Sequence, residues 1–291
     1  MDRKSFIKKA LMAGSVGAIA PTILASGKNT KAPNRATILQ EGFNHIPKKE
    51  VQTMKTVLHK ANSRGQANHG WLKANHSFSF ANYYNPERMN FGVLRVLNDD
   101  HIAPGAGFPT HPHQNMEIIT IPLSGQVEHK DSMGNSGVIS PGEIQVMSAG
   151  TGIQHSEFNK NKDQDLKLLQ IWVFPNQQQV TPRYDQLRID DTSSVNGFKQ
   201  ILSPNANDNG VWIHQNAWFH LGEMNSEQEF TYQLKEKSNG VYIFLIEGNI
   251  DIHGQTLSAR DGFGAWDSEE LLIKSLAKSK VLVMEVPLHN N

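Results

Sequence analysis

From about residue 56 onward, apolar residues come in short runs separated by clusters of Gly, Pro, Asn and Asp. Residues 91–97, 116–121, 137–140, 144–147 and 166–173 are such runs. Turn signals stand between them at Asn98-Asp99-Asp100, Ser124-Gly125, Met133-Gly134-Asn135 and Pro141-Gly142. Many brief strands at this spacing predict an all-β sandwich or barrel. No long segment with the 3.6-residue period of an amphipathic helix competes with that reading. Residues 175–196 interrupt the pattern with Pro175, Pro182 and a glutamine run, and read as an inter-domain connection. Strand-like runs then resume at 211–213, 217–221, 240–246, 250–252 and 280–286.

The two halves echo each other. Glu247-Gly248 repeats Ser124-Gly125, and residues 259–262 repeat residues 139–142. Each half runs strand, glycine turn, strand, small-residue turn, strand, which predicts two related β-barrels in tandem. The length of 291 residues suits two domains of roughly 100–140 residues each. The expected limits are 56–180 for the first barrel and 181–291 for the second.

The N-terminus follows different rules. A basic start, MDRKSFIKK, precedes ALMAGSVGAIAPTILA, which is apolar and rich in small residues. That apolar stretch is interrupted by Gly14, Gly17 and Pro21 and is shorter than a membrane span of about 20 residues. The arrangement predicts an export signal over 1–27, with small residues at Ala25-Ser26-Gly27 for cleavage. Residues 3–8 resemble the twin-arginine signal, with Lys4 in place of the second arginine. The expected location is outside the cytoplasm, in the periplasm, with no membrane attachment after processing; the alternatives are an amphipathic N-terminal helix or retained anchor, and a cytoplasmic location. Residues 28–55 are polar and weakly patterned, and read as a linker.

Composition narrows the chemistry. The 28 basic and 28 acidic side chains cancel, so no nucleic-acid or anionic-membrane partner is indicated. There is no cysteine, which excludes disulfides, thiolate metal sites and a cysteine nucleophile. A metal in this chain has only His, Asp and Glu to hold it.

Residues 111–117 read HPHQNME and residues 150–157 read GTGIQHSE. Alternate residues of a strand face one side, so His111 and His113 would point into one space. Pro112 favours an extended residue before it. His155 and Glu157 are also two apart, so the same argument places them on one face. Two such pairs on neighbouring strands supply three nitrogens and one carboxylate, a set suited to Fe, Mn, Ni, Cu or Zn. An isolated histidine in a β protein is more often a surface or hydrogen-bonded core residue. Two spaced pairs beside glycine turns are harder to explain that way. Glu128, His129 and Asp131 read as polar residues of a hairpin. Trp71, Phe78, Phe80, Tyr83 and Tyr84 either line an apolar pocket or close the barrel and fill an interface.

The spacing of Gly105, His111, His113, Glu117 and Gly125 resembles the first cupin motif. Gly152, His155 and Asn159 resemble the second, with Ser148 where a proline is usual. NHGWLKANHSFSFANYYNP, the stretch from Arg95 through Asn159, LQIWVFP and TPRYDQ together resemble the pirin family, in its bacterial quercetin 2,3-dioxygenase-like branch. The resemblance spans about residues 57–291 and is densest over 62–185.

It implies a bicupin, two barrels packed face to face, with one divalent metal in the first. His111, His113, His155 and Glu157 are the implied ligands, with Fe(II) first among the candidate ions. Glu117 holds the carboxylate position of general cupins, but the resemblance gives that role to Glu157. Glu117 is left near the metal or as a base. The second barrel, with scattered His214, His220, His253 and His289, is implied to be metal-free. The implied reaction opens the heterocyclic ring of a flavonol such as quercetin with dioxygen, in a monomer, with Glu157 as the base. The alternatives are a non-enzymatic metal- or redox-responsive binding protein and a cupin enzyme for another small molecule.

Overall fold

The computed structural model describes residues 53–189, 194–195 and 197–289. The expected export signal (1–27) and nearly all of the expected linker (28–55) lie outside those residues. The described chain is almost entirely strand, arranged as two barrels, as the spacing of apolar runs predicted.

In the first barrel a seven-stranded sheet faces a four-stranded one. The large sheet runs Arg183–Arg188, Glu143–Ser148, Glu117–Ser124, Leu166–Val173, Leu94–Ile102, Leu72–His76, Gly65–Asn68. The small sheet runs Gly107–His113, Ile153–Asn159, Val127–Asp131, Ser136–Ile139. The second barrel repeats the scheme. Gly262–Trp266, Asn239–Glu247, Ser279–Pro287, Trp218–Met224 and Phe198–Ser203 form the centre of its large sheet. Its small sheet runs Glu229–Gln233, Glu270–Ser275, Asn249–Ile252, Gln255–Ser258.

The echoed glycine turns are equivalent in space, each joining a long strand of the large sheet to the small one. Gly125 and Gly248 have φ of 76° and 91°. A Cβ on Gly248 would run into Ser279 and the Lys278 carbonyl, so the turn needs glycine for both reasons.

Period-2 alternation divides each long strand between two cores. Ile119, Ile121, Leu169 and Ile171 face Leu202, Phe219, Tyr242, Phe244 and Met284 in one apolar cluster shared by the two barrels. The residues between them, such as Ile118, Thr120, Gln170 and Trp172, turn into the first barrel. In the second barrel the alternates Val241, Ile243 and Leu245 join an interior apolar cluster with Phe198, Phe230 and Ile273. Two large sheets therefore pack face to face and leave each barrel its own interior.

Three expectations need correction. Arg183–Arg188 lies beyond the expected limit at residue 180, within the supposed connection, yet it pairs with Glu143–Ser148 of the first barrel. Lys55–His59 begins in the supposed linker and pairs with Gly262–Trp266 of the second barrel. Each strand covers a sheet edge whose backbone groups would otherwise lack partners. Half-burial along Arg183–Arg188 explains why no apolar run announced it. Asn98-Asp99-Asp100 is no turn: all three lie buried inside the strand Leu94–Ile102. Asp99 faces the other barrel and is held by Arg64 at 3.2 Å and Arg260 at 3.1 Å, while Asn98 and Asp100 face the first barrel's interior.

Candidate metal centre

His111 and His113 alternate along an edge strand of the small sheet, and the neighbouring strand brings His155 directly opposite His111. The edge position lets Pro109 and Pro112 sit in a strand without breaking a ladder on the far side. The three rings pack with centroids 4.4–4.9 Å apart. Their nearest ring nitrogens lie within 4.8 Å of one another. Alternation along one strand and pairing with the next bring these three imidazoles together.

Glu157 is placed at the edge of this group. The register slips between His155 and Glu157, which sets Glu157 opposite Phe108. Such a bulge re-aims a side chain. Its carboxylate is gathered with His155 and His129, again within 4.8 Å, and not with His111 and His113. Thr120 Oγ1 donates to Glu157 Oε1 at 3.0 Å and Gln170 Nε2 donates to Oε2 at 2.8 Å. His129 is the residue that sequence reasoning missed: it is fully buried, not a solvated hairpin residue. Its ring centroid is 5.3 Å from that of His155. The signal available was alternation, since Val127 and His129 share one face of their strand.

Burial holds His111, His113 and His155 below the usual histidine range, with neighbouring imidazoles adding to the effect. They are neutral, the form that ligates metal. His111 Nδ1 is 2.8 Å from the Pro109 carbonyl, which only accepts, so that nitrogen carries the proton and Nε2 is left as the lone pair. Such a second-atom hydrogen bond fixes a ligating imidazole. Both nitrogens of His155 are buried with no hydrogen-bond partner among the described residues. Orphaned polar atoms in a folded interior need an ion or an ordered molecule to satisfy them. Three neutral imidazoles with a carboxylate beside them fit one first-row divalent ion.

Glu117 does not join them. It faces the seam between the barrels, where Ser148 Oγ donates to its Oε2 at 2.7 Å. Burial pushes its carboxyl up to about 7, against the opposing pull of Ser148 and Arg183. Arg183 stacks on Trp212 of the second barrel at 3.9 Å. The Glu117 cluster thus belongs to the contact between barrels.

The imidazoles open into a cavity of about 510 Å³, counting its mouth, with Phe80, Phe108, Ile118 and Trp172 as apolar walls. Ala74, His76, Asn98, Asp100, Glu157 and Gln170 complete it. Of the aromatic segment, Phe80 lines this cavity, Phe78 joins the core shared by the barrels, and Tyr84 is exposed.

Two tandem barrels, one with converging histidines inside, define a cupin protein with the two-barrel architecture. The Pirin family model matches residues 57–173, and the model of the quercetinase C-terminal cupin domain matches residues 200–286. The chain is 45% identical over 230 residues to the quercetin 2,3-dioxygenase of Escherichia coli strain K12, covering 79% of this chain and 98% of that protein. It is 37% identical over 222 residues to a pirin-like protein of Caulobacter vibrioides, covering 76% and 95%. The crystal structure of the bacterial pirin YhhW from Escherichia coli in complex with nickel(II) superposes with a TM-score of 0.75. That match has 44% identity and covers 80% of this chain and 99% of that one. The chain belongs to the pirin family. Its likeness to these relatives is that of an oxidoreductase, a metal-dependent cupin dioxygenase.

Proposed function

We propose that this pirin opens the heterocyclic ring of a quercetin-like flavonol with dioxygen, at one divalent metal held by His111, His113, His155 and Glu157. The observation that carries the reading is the convergence of three buried neutral imidazoles at the end of a cavity walled by flat aromatic side chains. Fe(II) is the first candidate, and the nickel(II) complex of the relative YhhW makes nickel a second. A bound divalent ion supplies Lewis acidity toward a substrate enolate and a redox partner for dioxygen.

The chain's own groups do the rest. Phe80, Phe108, Ile118 and Trp172 bury a flat ring system and keep water from it. Glu157 takes the proton of the flavonol 3-hydroxyl onto a carboxylate oxygen, which leaves the substrate oxygen anionic. Thr120 and Gln170 hold that carboxylate in place for the transfer. The His111 tautomer stays fixed by the Pro109 carbonyl throughout.

Oxygen uptake with quercetin, measured on iron-, manganese-, nickel- and copper-loaded protein, tests the reading. The expected result is one dioxygen consumed and one carbon monoxide released per flavonol with at least one metal. No uptake with any of them overturns it. The reading places the protein outside the cytoplasm, on the basic-then-apolar pattern of residues 1–27. Replacing Arg3 and Lys4 by alanine should keep it in the cytoplasm, and unchanged fractionation would contradict export.

A further inference from the structure

One wall of the cavity is built from polar side chains outside the candidate ligand set. On the adjacent strands Leu72–His76 and Leu94–Ile102, His76 stands opposite Asn98 and Ala74 opposite Asp100. Alternation puts these four on the inner face, and all four line the cavity. Trp172 joins them from the next strand, Leu166–Val173, which pairs with Leu94–Ile102.

Three buried polar atoms on this lining have no hydrogen-bond partner among the described residues: His76 Nε2, Asp100 Oδ1 and Trp172 Nε1. His76 and Asp100 are only 1% and 3% exposed, so bulk water does not satisfy them. Their chemistry is defined. His76 Nδ1 is 2.8 Å from Asn98 Oδ1, an amide oxygen that only accepts. The proton therefore sits on Nδ1, and Nε2 offers a lone pair. Trp172 Nε1 offers a hydrogen. Asp100 Oδ1 meets a hydroxyl in either protonation state, because a hydroxyl both donates and accepts.

We propose that His76, Asp100 and Trp172 form a hydroxyl-reading surface, which binds the ring oxygens of a multiply hydroxylated aromatic substrate and sets which ring enters. This deepens the flavonol reading and rests on it for the identity of the ring system. A site whose buried polar atoms need substrate hydroxyls rejects analogues that lack them. An apolar ring in this cavity would leave all three atoms unpaired. His76 also borders an outer cavity lined by Gln66, His69, Asn82 and Tyr83, so its imidazole is the partition between two spaces. A smaller residue there would join the two, and for that reason the test uses phenylalanine.

The experiment compares quercetin with 3-hydroxyflavone, which keeps the 3-hydroxyl and lacks the others. Anaerobic binding to metal-loaded protein is measured by fluorescence titration, and oxygen uptake is followed in parallel. The wild type should favour quercetin by about 100-fold or more, the scale of two or more buried hydrogen bonds left unmade. Asp100→Leu and His76→Phe should each remove about 10-fold of that preference, and neither should weaken 3-hydroxyflavone binding. Trp172→Phe should reduce the ratio of the two affinities to a lesser degree. Asp100→Asn, which still accepts and donates, should retain most of the preference. Metal content equal to the wild type in each variant shows that the metal site is intact.

Equal affinity of the wild type for both ligands overturns the proposal, even where both are turned over. So does a preference undiminished in both Asp100→Leu and His76→Phe. A preference lost in the variants but accompanied by no oxygen uptake keeps the hydroxyl-reading surface and removes the ring-opening reading. No binding of either ligand by the wild type overturns both. Should the leucine or phenylalanine variant fail to fold, Trp172→Phe decides on the same readout, and a preference undiminished in it overturns the proposal.

Discussion

The two barrels share strand order and connection, yet their interiors hold opposite chemistry. In the first, His111 faces His155 across two strands of the small sheet, and Glu157 faces His129. In the second, counted from the equivalent turns at Gly125 and Gly248, the equivalent positions are Tyr232 facing Leu271, and Ile273 facing Ile252. Phe230, which faces Ile273, stands where Phe108 stands opposite Glu157. Phe230 stacks on Phe198 with centroids 3.8 Å apart and planes 11° apart. Tyr232 keeps one polar atom and gives its hydroxyl to Glu285 at 2.8 Å.

The difference teaches what the scaffold requires. A barrel of this topology closes with a dry core of Phe, Ile, Leu and Val, so no metal is needed to build it. Lining the same framework with imidazoles, Asn98, Asp100 and Gln170 replaces apolar burial by polar groups that need partners. Thr120 and Gln170 meet part of that need within the chain. The nitrogens of His155 and the atoms of the hydroxyl-reading wall are left for what enters the cavity. The second barrel contributes stability and one face of the shared core, and the first contributes the chemistry.

The contrast can be broken at both ends. The largest effect is expected at His155. His155→Ala should weaken metal binding on the order of a thousandfold or more in a chelator competition, beyond the ~10–100-fold cost of losing an outer partner. Phe230→Ala, in the second barrel at the equivalent of Phe108, should leave metal content untouched. It should lower stability in denaturant titration by about 3–5 kcal/mol. Loss of metal in Phe230→Ala would show that the barrels are not separable in this way.

Acid should reach the second barrel through His220. Burial, aided by the charge of Lys235, lowers His220 to about 4 from 6.5. The folded state then binds fewer protons than the unfolded one between those values. Its contribution is complete above pH 6.5 and is lost as pH falls toward 4. The loss is about 3 kcal/mol at most. His220→Gln should flatten thermal stability against pH over that window. An unchanged slope would remove His220 as a source of acid sensitivity. The smallest effect is expected at Gln170. Gln170→Leu frees one oxygen of Glu157 and should weaken metal binding by ~10–100-fold without unfolding the barrel. Unaltered affinity would place Glu157 outside the metal's coordination.

Much of this plan is legible in the linear sequence because it rests on local rules. Short apolar runs predict strands, glycines mark the repeated turns, and alternation aims His111 and His113 the same way. What was not legible depends on partners far along the chain. Asn98-Asp99-Asp100 has the composition of a turn. It is a strand because Arg64 and Arg260, the latter 161 residues away, neutralise Asp99 across the seam. His129 looks like a hairpin residue until the fold lays Val127–Asp131 against His155 and Glu157. Arg183–Arg188 and Lys55–His59 are edge strands with little apolar pattern, and their pairing is set by sheets that other segments build. The division between Glu117 and Glu157 came from family resemblance. The structure supplies its physical reason: Glu117 faces the seam and Glu157 faces the cavity.

The central claim is that one metal resides in the first barrel on these histidines. Metal content per chain after mild purification, in the wild type and in the His111→Ala, His113→Ala double variant, tests it most directly. The account predicts about one equivalent in the wild type and none in a double variant that retains its fold by circular dichroism. Equal metal in both proteins would contradict it.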